Sequence, residues 1–183
     1  KITVNCNDNA NNNASTSVTV TISGSSSSPG TAQSSGVSTP VISTPTAGKT
    51  RAFIAKIEAN REASIPINQD EVSEIAITVK NTATSVYVDV SRLEAKPVEV
   101  AEAPGTILRY LDIKPSGLAA NDIDKATVKF KVEKTWLAAN SIDSESVVLL
   151  RFADARWNEL NTTKVSENDK EAVYEAETPG FSY

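Results

Sequence analysis

Short apolar runs that alternate with polar residues constrain this chain more than any other feature. Ala126, Val128, Phe130 and Val132 alternate with Thr127, Lys129 and Lys131; Val86, Val88 and Val90 repeat the pattern, and so do Ile75, Ile77 and Val79. A period of two puts one face in a core and the other in water, which is a strand and not a helix. Strands are expected over 52–58, 74–81, 86–93, 107–113, 126–132, 147–152, 157–160 and 172–177. Eight short strands with turns between them predict an all-β domain, an antiparallel immunoglobulin-like β-sandwich over residues 50–183. Asp154-Ala155-Arg156 reads as a tight hairpin turn, and 81–85, Pro115-Ser116-Gly117 and Asn121-Asp122 as further breaks. One short helix is expected over 134–140, with Trp136 and Leu137 plugging the end of the core, and Asn68 to Glu71 reads as a second helical turn.

Two further segments precede this domain. Residues 1–23 hold two alternating stretches, Ile2 to Val4 and Ser17 to Ile22, around an Asn-rich turn cluster. They read as a hairpin, like the last hairpin of an immunoglobulin-like or PKD-like surface module. An isolated two-stranded hairpin is marginal in water, so it needs a sheet to join. That sheet belongs to an upstream domain, to the main domain or to a neighbouring subunit. Residues 24–49 are dominated by Ser, Thr, Pro and Gly and read as a flexible linker, a composition often O-glycosylated in extracellular stalks. The linker would reach on the order of 80 Å extended, or about 25–30 Å as a coil.

Composition excludes several functions. The net charge of −5 lacks the basic footprint of sequence-independent nucleic-acid binding. No apolar run is long enough to span a bilayer. No secretory leader opens the chain, so an extracellular protein would stand here in processed or partial form. Histidine is absent, which removes the commonest general base. The close carboxylates, Asp122 with Asp124 and Asp143 with Glu145, sit in polar turns where solvated charges are expected. No nucleophile elbow, P-loop or dinucleotide-binding glycine pattern occurs. The chain reads as a non-enzyme with no cofactor. Structural calcium has two partial sites, around Asn7 to Asn9 and Asn121 to Asp124, neither a full calcium loop; Asx turns explain both.

Cys6 is the sole cysteine, either a buried free thiol or a half-cystine whose partner lies upstream. Asn13-Ala14-Ser15 and Asn161-Thr162-Thr163 are N-glycosylation sequons. Phe130, Trp136 and Trp157 are expected as core aromatics rather than sugar platforms.

The stretches Phe130-Lys131-Val132 with Trp136, Leu149-Leu150-Arg151, Trp157 with Leu160, and Pro179-Gly180-Phe181-Ser182 together resemble the PGF-pre-PGF domain of archaeal cell-surface proteins, over about residues 50–183. The resemblance implies a secreted or wall-attached structural role and supplies no catalytic residues. In that family the final element runs into a further apolar strand. Here the chain stops at Tyr183, so either the chain is trimmed or that strand comes from elsewhere.

The expected function is therefore a structural component of the archaeal surface, extracellular, associating with itself or with other surface proteins. Val18, Val20 and Ile22 are its candidate assembly arm, donated to a neighbour's sheet edge. A filament subunit and a piece of a longer wall protein both fit. The other class open to it is a carbohydrate- or ligand-binding adhesion module, with glycans as partners.

Overall fold

The computed structural model describes residues 2–7, 15–22, 42–46, 48–67, 69 and 71–181, with side chains described from residue 48 onward. The chain is mostly β, with antiparallel sheets and one short helix in a sandwich-like arrangement. Its strands are β1 (Ile2–Asn7), β2 (Ser15–Ile22), β3 (Ile42–Thr46), β4 (Lys49–Ile57), β5 (Glu62–Pro66), β6 (Val72–Val79) and β7 (Ala83–Leu93). They continue with β8 (Arg109–Ser116), β9 (Ile123–Glu133), β10 (Val147–Ala153), β11 (Arg156–Glu159), β12 (Thr162–Glu167) and β13 (Glu171–Thr178), and the helix is α1 (Lys134–Ala139). One sheet runs β11-β10-β2-β1-β8-β7-β4-β3 and the other β12-β13-β9-β6-β5.

The core lies between the sheets. The first contributes Ala52, Ile54, Val86, Val88, Val90, Leu111, Ile113, Val147 and Leu149, and the second Ile65, Ile75, Ile77, Val128, Phe130, Val132 and Tyr174. These are the alternating apolar positions of the sequence, so the period-two reading carries through to the packing. Phe130 and Tyr174, directly opposed on β9 and β13, stack with ring centroids 5.3 Å apart. The outer face of the second sheet is a ladder of opposite charges: Lys125 with Glu177, Lys129 with Glu175 at 2.9 Å and Lys131 with Glu171 at 3.6 Å. Each such cross-strand pair contributes roughly 0.2–1 kcal/mol, and together they mark the face as solvated and help fix register.

The structure departs from the expected secondary structure and pairing in four places. Strands β3, β5 and β12 lie outside the expected set, and all three sit at sheet edges. The expected linker 24–49 is shorter, because β3 and the start of β4 occupy residues 42–46 and 49. The region of Asn68 to Glu71 is no helical turn. It closes the β5–β6 hairpin, with the Ile67 amide donating to the Ser73 carbonyl at 2.9 Å and the Gln69 amide to the Val72 carbonyl at 3.1 Å; Asn68 and Asp70 lie outside the described residues. Pairing is not purely antiparallel, since β1 runs parallel to both β8 and β10.

The turn between β10 and β11 places Asp154 at φ 53° and Ala155 at φ 58°. Both central residues in the left-handed region give the twist that a two-residue hairpin needs. Gly117, at φ +75°, cannot carry a side chain, because a Cβ would stand 2.4 Å from the Ser85 carbonyl oxygen.

Candidate functional site

Two features could bear function: one end of the sandwich, and the interior of the first sheet. At the sandwich end, β7 finishes with Arg92 close by, β8 opens on Arg109, and Glu71 precedes β6. Lys131 near the end of β9, Glu171 at the start of β13 and Trp136 on α1 complete the rim of a cavity of ≈ 400 Å³. Glu71 is only 8% exposed. Its Oε1 accepts from Arg109 Nε at 2.8 Å and lies 3.8 Å from Arg92 Nε. Its Oε2 is buried with no hydrogen-bond partner among the described residues. These residues are far apart in sequence, Glu71 and Arg109 by 38 positions, so no local motif announces them. Lining cations and carboxylates are mixed, which favours a polar ligand over a strongly charged one.

In the first sheet, the hairpin β1–β2 lies between β8 and β10. It pairs through Val4 with Leu111 of β8, and through Val20 with Leu149 and Ile22 with Val147 of β10. Of the three sheets open to this hairpin, the structure uses that of the main domain. Val18, Val20 and Ile22 lie on β2, and Cys6 on β1; their side chains are outside the described residues. Asn13 is outside the described residues altogether.

Asn161 is exposed in the link between β11 and β12, where an oligosaccharide would meet solvent. Phe130 is central core, and Trp136 packs against that core half-buried. Trp157 corrects the expectation. It lies outside the central core, edge-on to Phe152 at 5.1 Å, with its indole N–H donating to the Ala101 carbonyl at 2.9 Å. On the adjacent strand β10, Leu149 and Leu150 face opposite sides of the sheet, and Trp157 pairs with Phe152 on the side of Leu150. Residues 94–108 thus reach Trp157 on the outside of the first sheet through Ala101, and Val100 among them is buried.

Three of the four carboxylates weighed as acid/base pairs, Asp122, Asp143 and Glu145, have structural partners. Asp122 accepts from Asn81 Nδ2 at 2.9 Å, and Lys80 Nζ reaches the Asn121 carbonyl at 3.1 Å, so a cation already serves that turn. Asp143 caps the short turn before β10 by accepting from the Glu145 amide at 2.9 Å. Glu145 pairs with Lys164. No group of three acidic, Cys or His residues suited to a metal occurs among the described residues. Of the other partial calcium site, Asp8 and Asn9 lie outside the described residues. No described helix is long and apolar enough to cross a membrane.

Shifted acidities follow packing rather than a reaction centre. Hydrogen bonds from Lys134 and then Lys164 draw the Glu167 carboxyl down to about 2. Asp89 is held low by its bidentate partner Arg51, at 2.7 Å for both bonds. Burial raises Asp112 in spite of Lys114, and it raises the Tyr174 phenol, which donates to the Ser144 carbonyl at 2.8 Å.

Comparison with protein-family models, with curated proteins and with solved structures finds no match for the chain.

Proposed function

We propose that this protein is a non-enzymatic structural component of an archaeal cell surface, part of the wall or of an extracellular filament. Its body is read as an immunoglobulin-like sandwich that assembles by β-strand donation. The observation that carries the reading is the hairpin β1–β2, which contributes two strands to the first sheet although a Ser/Thr/Pro/Gly-rich stretch separates it from the rest of the domain. In β-augmentation an extended segment adds to an exposed sheet edge, and a strand pair joined to the domain by such a stretch is suited to that role. The resemblance of residues 50–183 to archaeal surface domains and the exposed Asn161 sequon agree with that setting. The test is labelling of intact native cells with a membrane-impermeant amine reagent, followed by peptide mapping. Labelled lysines and a glycopeptide spanning Asn161 are expected. Labelling that requires lysis would end the surface reading.

A second reading has one specific support, the ≈ 400 Å³ end cavity rimmed by Trp136 and mixed charges. It makes the chain a carbohydrate- or ligand-binding module of a larger secreted protein. A glycan array separates the two: binding that Trp136→Ala abolishes favours the module, and an empty array favours the structural component.

A further inference from the structure

We propose that the gap between β8 and β10 is a strand-acceptor site whose occupant is the β1–β2 hairpin of a second copy of this chain. The proposal deepens the structural reading above and rests on it, by naming the acceptor, the donor and the partner.

Both walls of the gap are held by contacts that do not involve the hairpin. On the outside, residues 94–108 leave β7, reach Trp157 on β11 through the Ala101 carbonyl, and return to β8. On the inside, β10 is tied to the chain leading into β12. The Leu160 amide donates to the Leu149 carbonyl at 2.8 Å, and the Leu149 amide donates to Thr162 Oγ1 at 3.0 Å. Those bonds use the backbone groups of Leu149 on the side away from the gap. Successive residues of a strand point their amides and carbonyls to opposite sides, so Val148 and Leu150 present theirs to the gap. On the other wall, β8 is fixed along its far side by β7. The gap is thus a pair of preset strand edges, which is the kind of surface that recruits another strand.

The hairpin matches those edges in register. Val4, Val20 and Ile22 stand opposite Leu111, Leu149 and Val147, all three members of the central core. Asn5 stands opposite Asp112, Thr3 opposite Tyr110 and Thr21 opposite Val148, positions outside that core. At these six positions apolar residues of the hairpin pair with core positions and polar ones with positions outside the core, whereas Ile2 pairs with Arg109 and Val4 also with Arg151. A slip of one residue would exchange the two sets, so the register is specified by chemistry as well as by backbone bonds.

The tether favours a second copy at high density. From β2 to β3 the sheet order crosses five strand spacings, roughly 24 Å at ~4.8 Å each. Residues 23–41 make that connection, and extended they reach roughly 60 Å at ~3.3 Å per residue. The connection is more than twice as long as closure on the same chain requires, which brings the gap of an adjacent copy within range. Closed and exchanged forms make the same ladder bonds, so the choice between them falls to concentration. A tether of this length supplies an effective concentration on the order of 1 mM. Dilute chains therefore close on themselves, and chains packed in a layer or fibre exchange. An exchange in which each copy gives its hairpin to the next and accepts one from the copy before is head-to-tail and need not close, so it extends.

The test uses the full chain with Thr21→Cys and Val148→Cys, direct partners across the β2–β10 ladder, in a Cys6→Ser background. The protein is refolded and oxidised at ~10 μM and at ~1 mM and run on a non-reducing gel. Covalent dimers and higher rungs are expected, with an interchain share rising roughly fiftyfold, from about 1% to about half, as concentration approaches the tether's effective value. Crosslinks that stay within one chain at both concentrations would overturn the exchange and leave the surface role standing. A folded chain that forms no crosslink would overturn the placement of the hairpin as well. Should the cysteine variant not fold, wild-type chains bearing two different tags are refolded together at ~1 mM and captured through one tag. Co-capture of the other tag supports the exchange, and its absence refutes it. Surface labelling of native cells reads out separately, so the two ideas fail independently.

Discussion

Replacing Arg109 by Met should cost far more stability than replacing Glu71 by Leu, although the two residues are partners. Glu71 has a side chain 11% exposed, and Arg109 and Arg92 are 28% and 35% exposed. Removing one partner of a buried ion pair costs about 3–5 kcal/mol, because the other charge is left in a poor solvent. Arg92 remains 3.8 Å from the carboxylate after Arg109→Met, which moderates the penalty; we expect about 2–3 kcal/mol. Glu71→Leu strands only guanidinium groups that already reach water. It also removes Oε2, a buried acceptor without a partner among the described residues, whose desolvation costs about 1–3 kcal/mol as it stands. The net loss for Glu71→Leu should stay under about 1 kcal/mol, and the double variant should track it. Urea unfolding followed by the fluorescence of Trp136 and Trp157 measures the set. With a slope of about 2 kcal/mol per M, Arg109→Met should lower the midpoint by roughly 1 M and Glu71→Leu by less than half of that. Equal losses for the two single variants, or a double variant equal to their sum, would refute the asymmetry between buried anion and hydrated cation.

Three other outcomes can be checked on the same chain. Phe130→Ala, at a fully buried ring stacked on Tyr174, should cost about 3–5 kcal/mol; a calorimetric loss below ~1.5 kcal/mol would mean the two sheets collapse onto the cavity. Ala155→Gly, at φ 58° in the β10–β11 turn, should stabilise by about 0.5–1 kcal/mol and raise Tm by about 2–3 °C; an unchanged Tm would show that the left-handed turn carries no strain. Glu167 is depressed from 4.5 to about 2 by Lys134 and Lys164. Its contribution is therefore complete above pH 4.5 and lost as pH falls toward 2. Glu167→Gln should flatten the acid limb of stability in that window, and an unaltered limb would assign the acid loss to other groups.

The strands that the sequence hides share one physical feature, a place at a sheet edge, although the edge strand β11 is disclosed by Trp157 and Leu160. β9, with Ala126, Val128, Phe130 and Val132 on one face, is flanked by β13 and β6 and packs against the opposite sheet, so its alternation is complete. The hidden strands β3, β5 and β12 are each paired on one side only. In β5 a single residue, Ile65, is fully buried, and β3 carries Pro45, tolerable only where an amide is not needed by a neighbour. Edge strands avoid the apolar pattern because a flat apolar edge invites aggregation, so they resemble loops in sequence. Trp157 departs from its expected place for a related reason. Alternation tells which residues share a face, but not that the outer face of this sheet would be covered by residues 94–108.

Neighbours along the chain settle which stretches extend, which faces are apolar, where Asp154 and Ala155 turn, and where α1 begins after β9. Relations between residues far apart emerge with the packed fold. It brought Glu71 to Arg109, set the order of strands, and left β8 and β10 facing one another across a gap that the first hairpin fills. The physical reason is that period-two burial is a local constraint on a strand. The choice of pairing partner is a competition among all strand edges, and the packing of the whole sandwich settles it.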